Sequence, residues 1–328
     1  MKTNTIHKYV QDLTSEDKFS GVVLLAKDGK EIFKEAYGLA CRNFSVPNTT
    51  DTIFNIGSLN KIITKIAILQ LMEKGRVSLD DKVGKFLPDF PSEIADKVTV
   101  IHLLTFTSGM GDYFNEKFQA AIGNLRSLDD FVKLFIDDPL SFVPGSDNQY
   151  SNAGFVVLGR IIEVASGQNY YDYVQENIYK PAGMKNTDHY ELDYPIPNLA
   201  TGYTVAESLC CGHSGELRNN YYHIGTKGSS AGGGHSTVED LLRFSNAIRN
   251  AVLLSPEYSD KVFKPTNGDA SMKLPAAILA GGAPGLSSFL MIYFDLGYVA
   301  IILSNRDPEF VEPIFKKIHE IITSESKN

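Results

Sequence analysis

Apolar runs of strand length cluster near the two ends of this chain, and helical periodicity fills the interval between them. Residues 20–26 (Ser-Gly-Val-Val-Leu-Leu-Ala) are apolar at nearly every position, and residues 31–37 resume the pattern after Lys27-Asp28-Gly29-Lys30. Asp28-Gly29 supplies the positive backbone dihedrals of a tight turn, so the segment reads as a β-hairpin. Residues 289–294 and 298–303 flank Asp295-Leu296-Gly297 and read as a second hairpin. From Glu309 to about Ser324 the spacing turns helical, with Pro313 expected in the first turn, where a missing N–H is tolerated.

In the middle, residues 99–105 read as a short helix opened by Thr99, and residues 153–165 as a strongly apolar helix stopped by Ser166-Gly167. Ser236-Thr237-Val238-Glu239 has the capping-box pattern ahead of a helix through Ile248. One sheet assembled from both chain ends, with a helical unit inserted between them, satisfies this order economically. The expected class is α/β in the broad sense (α+β, two domains), with a mainly antiparallel sheet flanked by helices. Residues 1–75 and 226–328 are expected to form the sheet domain and residues 76–225 the mostly helical one.

The run Ile62-Ile63-Thr64-Lys65-Ile66-Ala67-Ile68-Leu69-Gln70-Leu71-Met72 is apolar around most of a helix, so that helix belongs inside a core, with Gly75 as its left-handed stop. Ser58-Leu59-Asn60-Lys61 stands at its start. Positions three apart share a helix face, which brings the Ser58 hydroxyl beside the Lys61 amine. Burial disfavours an ammonium, so Lys61 is a candidate base for an activated Ser58 nucleophile. Tyr150-Ser151-Asn152 precedes the second apolar helix. Ser151 and Asn152 have the chemistry of helix caps, and Asn152 also that of a substrate hydrogen-bond donor. Tyr150 is a candidate second proton carrier. A phenol and an amine are both too basic for work at neutral pH unless perturbed, and burial moves them in opposite directions. A coupled Lys61–Tyr150 base is therefore expected, with its proton assigned to neither.

Composition narrows the classes. The 328 residues carry a net charge of -8, which argues against a nucleic-acid backbone or an anionic membrane as main partner. No stretch approaches the ~18 apolar residues of a membrane span. Cys41, Cys210 and Cys211 make no disulfide framework, and the first residues have no signal-peptide core, so a reducing, cytoplasmic setting is expected. Cys210-Cys211 reads as part of a solvated loop. The seven histidines show no metal-ligand spacing, so neither a metal nor an organic cofactor is expected.

The order S-x-x-K (Ser58, Lys61) then Y-x-N (Tyr150, Asn152) resembles the serine β-lactamase-related hydrolases: class C β-lactamases, D-alanyl-D-alanine carboxypeptidases, D-amino-acid peptidases and esterases. Supporting segments are Ser78-Leu79-Asp80-Asp81-Lys82-Val83, residues 102–109 (His-Leu-Leu-Thr-Phe-Thr-Ser-Gly), Pro181-Ala182-Gly183-Met184, residues 231–237 and Leu303-Ser304-Asn305-Arg306-Asp307. The resemblance, over roughly residues 15–320, implies a β-lactamase/transpeptidase-like fold with the site in a cleft. It also implies an acyl-Ser58 intermediate, proton transfer by Lys61 and Tyr150, and an oxyanion held by two backbone N–H groups.

The family's third motif, K-T-G or H-x-G on a strand, is changed here. Matching Gly281-Gly282-Ala283-Pro284-Gly285 to it puts Leu279 where Lys or His is expected and makes Gly282 the second oxyanion donor, with Gly281 giving close approach. An aliphatic Leu279 cannot bind a substrate carboxylate, which favours esterase-like hydrolysis of a small ester or amide; Lys227 or Arg306 could bring a charge from elsewhere. The alternatives are a β-lactamase or a carboxypeptidase/aminopeptidase acting on short D-amino-acid peptides, and a catalytically idle sensor. Gly232-Gly233-Gly234 is expected to give room beside the site, His235 to pack near the cleft, and the loops at 110–140 and 200–225 to shape it. The oligomeric state is left open.

Overall fold

The structure is a computed structural model describing residues 3–205, 215–263 and 276–325. Helix α1 (Thr3–Ser15) leads into the hairpin β1 (Gly21–Lys27) and β2 (Lys30–Tyr37). Its turn uses Asp28 at φ 50° and Gly29 at φ 78°, the left-handed pair the Asp-Gly step favours. Strand β3 (Phe54–Gly57) then delivers the chain to α2 (Asn60–Glu73). The middle holds short helices, among them α3 (Val100–Leu104), before the long α4 (Asn152–Ser166) ends at Gly167 with φ 74°. Strand β4 (Gly234–Ser236) leads into α5 (Val238–Arg249). The chain closes with β5 (Ala276–Ala283), β6 (Leu286–Tyr293), β7 (Tyr298–Ser304) and α6 (Pro308–Glu325).

The main sheet runs β2-β1-β7-β6-β5, every pairing antiparallel, so the N-terminal hairpin and the last strands are laced together through β1 and β7. Both faces are covered at β1, β6 and β7, which explains why these three strands read as continuous apolar runs instead of alternating ones. Val23, Leu25, Met291, Ala300 and Ile302 face α1 and α6, against Ile6, Val10, Ile314 and Ile318. Leu24, Leu290, Ile292, Ile301 and Leu303 face the larger core, which takes in Ile63, Ile66 and Ile68 of α2 and Val156, Val157 and Ile161 of α4.

Three local expectations shift. The cap of α5 is Thr237, whose hydroxyl accepts the Asp240 N–H, because Ser236 is held in β4 opposite Phe54. Helix α6 starts at Pro308, so Pro313 lies in its second turn. Helix α2 starts at Asn60, which leaves Ser58 on the preceding turn with its carbonyl accepting the Lys61 N–H at 3.0 Å. Cys210-Cys211 lies outside the described residues. Among the described residues no helix is long and apolar enough to cross a membrane.

Candidate active site

Ser58 emerges where β3 turns into α2, at a corner that β5 and the 228–234 loop approach closely. Gly57 has φ 51°, and a side chain on it would sit 3.1 Å from the Gly282 amide nitrogen and 2.9 Å from Leu286 Cδ1. A Cβ on Gly281 would come within 2.1 Å of the Ile56 carbonyl and 2.9 Å of the Leu59 nitrogen. Only glycine lets β5 lie this close to the β3–α2 corner, and Gly282 lines the same cleft as Ser58. From the other flank, the 228–234 loop is pinned to α2. Asn60 Nδ2 donates to the Ser229 carbonyl at 3.2 Å and Thr64 Oγ1 to the Ser230 carbonyl at 2.7 Å.

Three predicted groups meet. The Tyr150 hydroxyl donates to Ser58 Oγ at 2.7 Å, and Lys61 Nζ reaches the same oxygen at 3.2 Å. Lys61 Nζ also donates to Asn152 Oδ1 and to the Ala231 carbonyl, both at 2.6 Å. Ser151 is the cap of α4, accepting the Gly154 N–H at 2.8 Å and donating to the Gly111 carbonyl at 2.9 Å, so it locks the 111–115 loop onto the helix that carries Asn152. The Tyr150 ring stacks on Phe106 at 5.0 Å between centroids.

Proton affinities separate these groups. Burial brings the Lys61 ammonium down to about 7, against an opposing pull from the Asp112 carboxylate. Burial raises Tyr150, only partly offset by its hydrogen bond to Ser58. The expected direct sharing of a proton between lysine and phenol is not found. Lys61 Nζ lies over the Tyr150 ring, 4.7 Å from its centroid, and the two groups converge on Ser58 Oγ instead. At neutral pH the phenol keeps its proton and the amine is poised to lose its own.

Other expectations are corrected. Leu279 lies on the inward face of β5 with Gly281 and packs on the core beside its partner Leu290, so its side chain is not part of the cleft lining. Gly282, on the opposite face, does line it. Arg306 is buried away from the cleft, paired with Asp17 at 3.2 Å and stacked on Phe310. Lys227 lines the cleft, yet its ammonium is bonded to Glu191 at 3.3 Å and lies over the Tyr171 ring. Gly232 and Gly233 border the nucleophile, and Gly233 adopts φ 86° as it passes tightly by Gly228. His235 is buried at the cleft wall, where desolvation takes its imidazole down to about 4 and keeps it neutral.

The cleft encloses about 620 Å³. Its lining includes Tyr113, Phe114, Phe118 and Phe131 from the 110–140 segment and, among the described residues of 200–225, His223, Ile224 and Gly225. Asp112 also borders it and is the member that motif reading missed. Its Oδ2 accepts Asn152 Nδ2 at 2.7 Å, while Oδ1 accepts the Tyr113 and Phe114 N–H groups at 2.7 and 3.3 Å. The only sequence signal was an acidic residue between Gly111 and two aromatics, which many turns share.

Known proteins resemble this chain along nearly all of its length. Residues 6–321 match the family described as Beta-lactamase. Penicillin-binding protein 4* of Bacillus subtilis (strain 168) is 29% identical, over 98% of this chain and 76% of its own length. Esterase EstB of Burkholderia gladioli is 31% identical, over 73% of this chain and 68% of its own. The crystal structure of a penicillin-binding protein from Bacillus halodurans is 30% identical and superposes with a TM-score of 0.82, covering 96% of this chain and 99% of that one.

Proposed function

This chain belongs to the Beta-lactamase family of serine hydrolases, and from that premise we propose that it hydrolyses small neutral esters through an acyl-Ser58 intermediate. The observation that carries the reading is the convergence of Tyr150 Oη at 2.7 Å and Lys61 Nζ at 3.2 Å on one serine oxygen. Neutral Lys61 takes the Ser58 proton as Oγ attacks the substrate carbonyl carbon. The resulting oxyanion accepts from the Ser58 and Gly282 N–H groups; one such donor is typically worth about 10²–10³ in rate. Tyr150 gives its proton to the departing oxygen, and the Lys61 ammonium gives up its own through solvent in the cleft to restore the phenol. A water molecule then retraces the same transfers to release the acid and restore Ser58.

The charge inventory of the cleft supports the preference for neutral substrates. Asp112 repels a carboxylate, and the Lys227 ammonium is already matched by Glu191. An uncompensated substrate carboxylate forgoes the ~1.5–3 kcal/mol of a charged hydrogen bond. A second reading, hydrolysis of a β-lactam or a D-Ala-D-Ala peptide, is favoured by one observation, the position of Lys227 in the lining. The discriminating experiment incubates wild type and Ser58→Ala with a p-nitrophenyl ester, a chromogenic cephalosporin and a D-Ala-D-Ala peptide. Ester turnover that disappears in the variant is expected. Cephalosporin or peptide turnover in its place supports the second reading, and no turnover of any of the three supports an idle sensor.

A further inference from the structure

We infer that Asp112 is a positioning residue for the acylation step: by fixing the orientation of the Asn152 amide, it decides that the free electron pair of Lys61 points at Ser58. The inference rests on the acyl-Ser58 reading and adds to it a residue outside the three family motifs. The argument starts from the number of sites around one nitrogen. A neutral lysine amine has two N–H bonds and one electron pair, arranged roughly tetrahedrally around Nζ and the side-chain carbon. Lys61 Nζ has three polar neighbours: Asn152 Oδ1 at 2.6 Å, the Ala231 carbonyl at 2.6 Å and Ser58 Oγ at 3.2 Å. The two nearer neighbours are pure acceptors in this geometry, so they hold the two N–H bonds. The third direction, toward Ser58, is left for the electron pair that takes the serine proton.

That outcome depends on which end of the Asn152 amide faces the lysine. An asparagine presents an acceptor on one side and a donor on the other, and its orientation follows from its partners. With the nitrogen toward Lys61, the electron pair would turn to Asn152 and away from Ser58. Asp112 removes this freedom, because an ionised carboxylate accepts only. Its Oδ2 takes Asn152 Nδ2 at 2.7 Å, and its Oδ1 is anchored by the backbone N–H groups of Tyr113 and Phe114. Asn152 is buried, and both ends of its amide are already engaged. A line of fixed donors and acceptors therefore runs from the Tyr113 amide through Asp112, Asn152 and Lys61 to Ser58. In the step it serves, the Ser58 O–H bond breaks, its proton joins Lys61 Nζ, and the serine oxygen bonds to the carbonyl carbon.

The test is the pH dependence of Ser58 acylation, read as kcat/KM on a p-nitrophenyl ester and as the rate at which a fluorophosphonate phosphonylates Ser58 with loss of fluoride. The groups facing Lys61 are Asp112 from the 111–115 loop, Tyr150 and Asn152 at the start of α4, and Ser58; Tyr113, Lys227 with Glu191, His223 and His235 lie along the cleft wall. Asp112→Asn loses the negative charge that holds a proton on Lys61, so the acid limb of both profiles is expected to move to lower pH by about one unit. The plateau is expected to fall on the order of a hundredfold, because the amide pair can now settle the other way round. Asp112→Glu keeps charge and acceptor and is expected to leave the limb in place. Asn152→Asp puts a second carboxylate against the amine and is expected to move the limb to higher pH.

If Asp112→Asn does not accumulate as folded protein, Asp112→Ser retains an oxygen for the two backbone amides and is expected to show the same downward move. A plateau that stays at the wild-type level in the neutral variants, or an acid limb that does not move, overturns the inference and leaves acyl-Ser58 intact. Phosphonylation of Ser58→Ala at the wild-type rate would instead overturn the reading beneath it.

Discussion

Replacing Lys61 by methionine separates the catalytic use of this side chain from its cost to the fold. Methionine is close to lysine in length and apolar, so it suits the interior between α2 and α4, but it does not titrate. In the folded protein burial holds the Lys61 ammonium near 7, against 10.5 for an exposed lysine. Between those values the unfolded chain binds a proton that the folded chain does not, so the stability of the wild type climbs as pH rises through that window. The steepest climb is about 1.4 kcal/mol per pH unit, and the whole gap corresponds to about 5 kcal/mol withheld below pH 7. The variant also strips a donor from Asn152 Oδ1 and from the Ala231 carbonyl, at about 1–3 kcal/mol for each group left unpaired. Those losses do not vary with pH, so they drop out of the slope. The assay is urea denaturation of both proteins at intervals from pH 6.5 to 9.5, with the difference in unfolding free energy plotted against pH. The wild type is expected to gain on Lys61→Met by several kcal/mol across that range, while ester hydrolysis by the variant is lost. A flat difference would refute the reasoning, since it would mean that Lys61 keeps its proton in the folded state and is no base at neutral pH.

Two further outcomes follow from the packing around Ser58. Gly281→Ala drives a methyl group into the Ile56 carbonyl and the Leu59 nitrogen, neither of which can swing aside. The variant is expected to lose about 1–3 kcal/mol of stability and on the order of a hundredfold in kcat/KM, because the Gly282 amide moves with its strand; wild-type values in thermal denaturation and ester kinetics would exclude the close approach. Phe114, 54% exposed at the cleft mouth, has little to hold in place. Phe114→Ala is expected to change stability by less than about 0.5 kcal/mol and to lower the kcat/KM preference for phenylacetyl over acetyl esters about tenfold, and an unchanged preference would show that the aromatic wall does not meet the acyl group.

Much of the fold was legible because its signals are local. Asp28-Gly29 dictates a hairpin turn wherever it occurs between strands, Gly167 stops a helix that has run out of apolar positions, and Thr99 opens α3 with its N–H donated to His102 Nδ1 within the same turn. The misplacements were local as well. Ser236 lost the capping role to Thr237 because a strand partner 182 residues away, Phe54, claimed its backbone. Leu279 was assigned to the site by motif register, which gives its number along the strand but not the face on which its side chain stands.

The candidate groups could be read from spacing, since Ser58 and Lys61 are held together by one turn of chain and Tyr150 and Asn152 by one loop-to-helix junction. Spacing could not say that the two pairs meet, because their contact spans 92 residues and depends on α4 packing against α2. Nor could it say which group gives up its proton. That follows from how completely each is removed from water and from which neighbours face it. Asp112 belongs to the same category: as a residue in a sequence it is an ordinary turn former, and only the folded chain sets its carboxylate against Asn152. Local propensities are properties of a few consecutive residues and survive in the sequence, whereas burial and electrostatic pairing are properties of surfaces brought together by folding, and these set the chemistry.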